Sequence, residues 1–379
     1  MASEPRKIVV ILGNGFDLDL GLKTSYKDFW ESDHCPKDHP SSLVEYLNKK
    51  QWKSGLENVR WFDLESELLS FALNKIHIDS VSENECSFVR EYASEDGIVS
   101  TLSFPYKDEE VANSLLKKKL MIGLPTQGFI IPYRDDILSD HVSRNRKALD
   151  HIKIALCNYL KEVEGGDCDD RSMAHLFIDM LKYLNSTEDI ISIYSFNYTS
   201  IIERFIENIT VQYVHGKCSD DNIIIGAGDT LGLDENYDFV MKANDPKYDP
   251  PALVNDLNGA DEVILYGHSL GRNDRQYFTH FFKKQIEQSN DKKPRIFIFT
   301  KDESSKLNIK RGLNEMTEGN LSALYGINKP TIFKTSGFRA EWDMRNKLIS
   351  FFMEHGLEKE TTELKIISIL DHTENNVPA

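Results

Sequence analysis

No Cys-x-x-Cys pair occurs in this sequence; its five cysteines, Cys35, Cys86, Cys157, Cys168 and Cys218, are scattered and odd in number. Neither a zinc ribbon nor a redox dithiol is expected from such spacing, no other metal set is suggested, and a reducing cytoplasm is the compartment that suits these thiols. Long apolar runs are missing too. No stretch approaches a membrane span, and Ile8–Leu12, behind the polar Met1–Lys7, is too short for the apolar region of a signal peptide. Positive charge is in deficit, with 45 Lys and Arg against 61 Asp and Glu and a formal net charge of −16. Such a surface repels phosphate backbones at long range, which argues against non-specific nucleic-acid binding. A small anionic cofactor stays allowed, because a local nest of backbone N–H groups can hold phosphate against the global charge. Repeats and low-complexity tracts are also lacking.

What is present suits a globular α/β protein. The 379 residues are 40% apolar and 28% charged, enough to bury a sizeable core. Ile8-Val-Val-Ile-Leu12, ending at Gly13, reads as a strand buried on both faces, as in a parallel sheet. Further strand signals stand at Ile190–Ser195, Val211–Val214, Asn222–Ile225, Glu262–Tyr266, Arg295–Phe299 and Thr331–Phe333, with helices between them at Ser200–Asn208, Asp274–Gln288 and Ser304–Glu315. This strand–helix alternation predicts a doubly wound, Rossmann-like parallel sheet. From Lys27 to Asp189 the pattern is mainly helical. The clearest stripe runs from Leu149 to Val163 and stops at Gly165-Gly166; Asp63–Ile76 and Met173–Leu184 give two more helices, while Cys86–Ile131 is ambiguous. The expected organisation is therefore a nucleotide-binding core of residues 1–30 and 190–345, a large helical insertion at 31–189, and a C-terminal helix with a fraying tail at 346–379.

Four motifs sit where strands end. Gly13-Asn14-Gly15-Phe16-Asp17, closed by Gly21, follows the first strand. Glycines there let the backbone approach a phosphate, and a following helix offers unpaired N–H groups. The same pattern also serves a tight strand-to-helix turn. Leu18 stands where the dehydrogenase fingerprint has its third glycine, and no second strand with a ribose-binding acid follows. Ser195-Phe196-Asn197-Tyr198-Thr199 offers an amide that can hold a ribose hydroxyl or orient a water, or a helix cap. Val214-His215-Gly216 offers a general base, or a hydrogen-bonded core histidine. Gly267-His268-Ser269-Leu270-Gly271 matches the nucleophile elbow of serine hydrolases. Against the elbow, the bulky, charged Arg272-Asn-Asp-Arg-Gln276 follows, and the later Asp302 and His355 are unremarkable partners. The other reading of this segment is a second glycine-and-hydroxyl turn gripping a dinucleotide. Asp63 and Glu65, beside Trp61, form an acidic cluster read as a solvated helix start or a pocket gate.

Taken together, Ile11–Leu18, Gly21–Phe29, Trp61–Glu65, Ser195–Thr199, Val214–Gly216 and Gly267–Asp274 resemble the bacteriophage abortive-infection AbiH family over about residues 8 to 340. That family is in turn similar to the sirtuin-like group of NAD-binding proteins. The order of Asn197 before His215-Gly216, and the Gly267-His268-Ser269 turn, match that group. The Pro and Arg of its glycine-rich segment and its zinc ribbon are missing, which puts deacylation in doubt.

The resemblance implies an anti-phage protein that binds and hydrolyses NAD. Gly13, Asn14 and Gly15, with Phe16, Asp17 and Gly21, would cradle the diphosphate or the nicotinamide ribose. Asn197 would orient ribose and water, and His215, beside Gly216, would take the proton. Gly267, His268, Ser269 and Asp274 would line the adenosine side. A phage-derived trigger or partner is expected, since constant NAD loss would kill the host, and self-association through the insertion stays open. The competing classes are a non-catalytic NAD or ADP-ribose sensor and a serine hydrolase.

Overall fold

The computed structural model describes residues 4–56, 63–73, 86–90, 102–106, 130–131, 135–230, 233, 235–249, 251–287, 293–338 and 341–375. It divides into two compact units, one of Met1–His34, Leu156–Ile224 and Lys247–Ala379, the other of Cys35–Ala155 and Ile225–Pro246.

The first unit is built on a six-stranded sheet. Its strands are β1 (Lys7–Leu12), β5 (Ile190–Ser195), β6 (Val211–Tyr213), β7 (Glu262–Tyr266), β8 (Arg295–Thr300) and β9 (Thr331–Lys334), in the order β6-β5-β1-β7-β8-β9. Every neighbouring pair is parallel. Counted by chain order within the sheet this is 3-2-1-4-5-6, the doubly wound order whose direction reverses between the first and fourth strands. The fold is thus α/β with a parallel sheet, as the alternation predicts.

Strand β1 sits at that reversal, and its composition says why. Ile8, Val10 and Leu12 enter one apolar core, Val9 and Ile11 the other. Both faces are covered, so the strand has no polar side and reads as one continuous apolar run. Each such buried side chain contributes about 1.5–3 kcal/mol.

Short helices α1 (Asn14–Asp19) and α2 (Tyr26–Glu31) follow β1. The second unit contributes α3 (Ser42–Leu56), α4 (Leu64–Leu73) and a three-stranded antiparallel sheet in the order β3-β2-β4, made of β2 (Cys86–Arg90), β3 (Leu102–Tyr106) and β4 (Ile130–Ile131). The long α5 (Asp135–Glu164) stops before Gly165-Gly166. Then come α6 (Met173–Asn185), α7 (Ile201–Phe205), α8 (Leu253–Gly259), α9 (Arg275–Glu287), α10 (Glu303–Met316), α11 (Leu321–Ile327), α12 (Trp342–Glu354) and α13 (Lys359–Asn375). One face of the sheet carries α6, α12 and α13, and the other α8 to α11. Among the described residues no helix is long and apolar enough to cross a membrane.

Several expectations change. Asn222–Ile225 adds no strand. Ile223, Ile224 and Ile225 are buried, but the segment is tied to the loop before it, by Ile224 N–H to the His215 carbonyl and Lys217 N–H to Asn222 Oδ1. Its apolar character reflects burial alone. The stretch 31–189 is not uniformly helical, since Cys86–Ile131 holds the small sheet, and α6 within it packs on the parallel sheet through Met173, Phe177 and Leu181. The fraying tail is a helix instead. Ile366, Ile369 and Leu370 recur at helical spacing and are buried in the core shared with α6 and α12, so burial of that stripe offsets the cost of ordering a charged segment. Trp61 lies outside the described residues.

Candidate functional site

Four adjacent parallel strands, β6, β5, β1 and β7, deliver the sequence motifs to one edge, the carboxyl end where ligands of open α/β sheets bind. Ser195 pairs with Tyr213 at the ends of β5 and β6. Asn197 and His215 therefore each stand two residues past matched strand ends.

The glycines are accounted for by close backbone contact. Gly13 N–H donates to the Tyr266 carbonyl, and Gly15 N–H to the Gly267 carbonyl, both at 2.9 Å. A Cβ on Gly267 would lie 2.2 Å from the Phe16 nitrogen, and one on Gly15 2.7 Å from the Gly267 Cα. The turns after β1 and β7 thus rest on each other, with Gly267 at φ +67°. Phe16 N–H donates to the Gly13 carbonyl, so the N–H groups of Gly13, Gly15 and Phe16, which a phosphate would seek, are engaged. Gly21, at φ +84°, ends α1: Gly21 N–H reaches the Leu18 carbonyl and Leu22 N–H the Asp17 carbonyl, a Schellman turn. Phe16 is a core residue whose ring packs edge-on against Tyr266 and Phe177. Asn14 Oδ1 accepts from the Thr24 hydroxyl at 2.6 Å. Gly216, at φ +69°, turns the chain against the Asn222 carbonyl, which a Cβ would meet at 2.2 Å.

Two polar clusters lie beside these turns. In the first, the Asp17 carboxylate, 1% exposed, accepts from Asn197 Nδ2 at 2.8 Å and from the Thr199 hydroxyl at 2.5 Å. Burial pushes the Asp17 carboxyl up to about 7, against the pull of its two donors. Asn197 is itself buried, and its Oδ1 has no hydrogen-bond partner among the described residues. A buried acceptor left unpaired costs about 1–3 kcal/mol, and such atoms concentrate where a protein has another use for them.

In the second cluster, Asp274 faces two histidines. Its Oδ1 lies 3.4 Å from His215 Nε2 and its Oδ2 3.5 Å from His268 Nε2, in ion-pair range but longer than a normal hydrogen bond. Leu270 N–H donates to His268 Nδ1 at 3.1 Å. That donor assigns the His268 proton to Nε2, facing Asp274. The ring of Phe196 lies between the imidazoles, with centroids 5.3 Å from His215 and 4.4 Å from His268, and it stacks on Phe278. Both histidines are nearly sequestered, while the Asp274 side chain is 18% exposed and marks the outer side of the cluster. Asp274 thus stands against two imidazoles.

The family model for bacteriophage abortive infection AbiH matches residues 9–298, more than half of the 379-residue chain. The chain belongs to the AbiH family. It is accordingly an abortive-infection protein of anti-phage defence. No curated protein and no solved structure matches it. The matched span takes in both polar clusters and all four strand-end turns of this AbiH-family chain.

The elbow reading of Gly267–Gly271 finds no support in the geometry. Ser269 is exposed, and His268 beside it turns both ring nitrogens elsewhere. Asp302 caps α10 through Ser305, and His355 is bonded to Glu262 at the opposite end of β7 and to the Phe351 carbonyl. In the second unit Asp63 caps α4 through Ser66, whereas Glu65 is not a solvated helix start: it is buried, 3.0 Å from the fully buried Lys242 ammonium. Among the described residues no group of three or more His, Cys, Asp or Glu could hold a metal ion.

Residues that sequence reasoning passed over complete the edge. Thr199 anchors Asp17. Asp19, pushed up to about 6 by burial, accepts from the Tyr266 hydroxyl and from Ala174 N–H at the start of α6. The Tyr198 hydroxyl meets the Tyr26 hydroxyl and the Ile224 carbonyl. The signal for Asp19 was its place in Phe16-Asp-Leu-Asp-Leu20, where acids alternate with apolar residues.

Proposed function

We propose that this chain binds NAD along the carboxyl edge of its parallel sheet and cleaves the nicotinamide–ribose bond, giving ADP-ribose, nicotinamide and a proton. The observation that carries this reading is the placement of Asn197 and His215 two residues past matched ends of neighbouring strands, with the Asp274 carboxylate against the His215 ring. The strand order supports it, since dinucleotides cross sheets of this order at the reversal point, although fold alone assigns no chemistry.

In this reading His215, with the Asp274 carboxylate beside its Nε2, accepts a proton from the attacking water. Asp274 also stabilises the imidazolium that then forms. The Asn197 carbonyl holds a sugar hydroxyl and sets the ribose. Nicotinamide is a good leaving group, so positioning one water and excluding the rest supply much of the rate. Phe196 and Phe278 make the apolar wall that excludes water. The turn amides being engaged, the diphosphate lies toward the exposed Ser269 rather than in a cradle at Gly13–Gly15. Phage infection, through a partner, is the trigger we attach to this activity.

The test incubates purified protein with NAD and with a chromogenic ester and follows both products by chromatography. Nicotinamide release that falls at least about a hundredfold in His215→Ala supports the proposal. Saturable NAD binding without turnover, even in phage-infected extract, replaces it with a sensor. Ester cleavage lost in Ser269→Ala would establish a hydrolase instead.

A further inference from the structure

Asn197 can present only one of its two polar atoms to a ligand, and Asp17 decides which. Above about pH 7 the Asp17 carboxyl is ionised, and an ionised carboxylate only accepts. The Asp17 Oδ1 takes the Asn197 amide N–H at 2.8 Å, and its Oδ2 takes the Thr199 hydroxyl at 2.5 Å. Turning the amide over would set carbonyl against carboxylate, acceptor against acceptor. The Asn197 backbone is held as well, its N–H donating to the Ser195 hydroxyl at 3.2 Å. The Asn197 Oδ1 lies on the other branch of the planar amide, is buried, and has no partner among the described residues.

We propose that Asp17 is a positioning residue that fixes the Asn197 amide with its carbonyl oxygen toward the ligand, so that this point of the site takes a sugar hydroxyl and rejects a phosphate oxygen. This rests on the NAD reading and deepens it. A group that completes the lone acceptor must donate a hydrogen bond, as a ribose hydroxyl does. A phosphate oxygen at neutral pH brings only lone pairs, and it would meet the Asn197 carbonyl with the Asp17 carboxylate behind. The ribose therefore sits at the ends of β5 and β6, beside His215, and the diphosphate lies elsewhere on the edge. Asp17 itself, 1% exposed, acts through Asn197 and touches no ligand.

The experiment titrates the full chain and its Asp17→Asn variant calorimetrically at about pH 8.5, where Asp17 is ionised, with ADP-ribose and with ADP, which lacks the second ribose. The near-isosteric Asn keeps the shape of the cluster but no longer enforces the amide orientation. We expect the ADP-ribose dissociation constant to rise about tenfold or more, the ADP constant to stay unchanged, and the thermal midpoint not to fall. Equal ADP-ribose affinity in both proteins overturns the proposal. A matching loss for ADP overturns the assignment of this point to a sugar.

A second measurement needs no variant. On addition of ADP-ribose to the wild-type chain, the Asn197 side-chain carbonyl carbon should shift in the NMR spectrum while its N–H protons stay protected from exchange. The opposite pattern, exposed N–H protons with an unmoved carbonyl, overturns the orientation. Should the wild-type chain bind neither nucleotide, the NAD reading and the sugar assignment both fail. The protection of the Asn197 N–H protons without ligand then still decides whether Asp17 holds the amide.

Discussion

Asp17 and Asn197 are joined side chain to side chain at 2.8 Å although 180 residues separate them in sequence. That bond links the helix after β1 to the loop after β5, and it places a carboxylate where water does not reach.

The buried Asp17 carboxyl makes stability depend on pH in an unusual direction. Its folded value of about 7 lies above the ordinary 3.8, so the folded chain holds the proton more tightly than the unfolded one. The associated stability is fully present below about pH 4 and is lost as the pH rises through about 7. Denaturant unfolding at a series of pH values should show the wild-type chain losing stability relative to Asp17→Asn between about pH 4 and 7. A constant difference across that range would count against an elevated Asp17 value.

Thr199→Val should weaken the fold by about 1–3 kcal/mol by withdrawing a donor from a buried carboxylate. The loss should be greater at pH 8 than at pH 5, because the ionised acid needs that donor more. Equilibrium unfolding at the two pH values measures it.

Gly267→Ala should destabilise by more than about 3 kcal/mol, since its Cβ would come 2.2 Å from the Phe16 backbone nitrogen at φ +67°. Gly259→Ala is the control. A Cβ there meets nothing within 4 Å, and the lower entropy of the unfolded chain should raise stability by about 0.4–1 kcal/mol. Paired thermal melts decide the matter.

At the opposite end of β7, Glu262 is 1% exposed, bonded to His355 and 2.5 Å from Arg295. Burial alone would raise its carboxyl, but His355 and Arg295 outweigh that and hold it below the usual 4.5. Its contribution is present above about pH 4.5 and is lost as the pH falls through the depressed value. Glu262→Gln should cost about 3–5 kcal/mol at pH 7, the penalty for breaking a buried pair, and should reduce the acid sensitivity of unfolding.

Asp274→Asn should lower nicotinamide release at least about tenfold without moving the thermal midpoint by more than a few degrees, if the carboxylate serves the His215 imidazolium as proposed. Steady-state kinetics beside a melting curve separates this from general damage. Unaltered release would remove Asp274 from the mechanism.

Much of the fold was legible because local pattern reports burial. The unbroken apolar run of β1 reflects cover on both faces, and the strand–helix alternation led to the parallel sheet. Pattern failed where burial came without regular structure, at Asn222–Ile225, and where a stripe lay inside a charged tail, at Ile366–Leu370. In the site the motifs were visible but some of their reasons were not. Gly13, Gly15 and Gly267 looked like a phosphate cradle, yet each turn is the other's close neighbour.

By itself, the sequence determined which residues would stand at strand ends, because apolar runs stopping at Gly13, Ser195, Val214 and Tyr266 are local features of the chain. Only the tertiary structure decided which of them meet. The pairing of β5 with β1 closes Asp17 over Asn197, and the crossover that then returns the chain to the far side of β1 brings Gly267 against Gly15 and sets Asp274 between His215 and His268. No spacing rule encodes those partners, since they are joined by the stacking order of strands and not by distance along the chain.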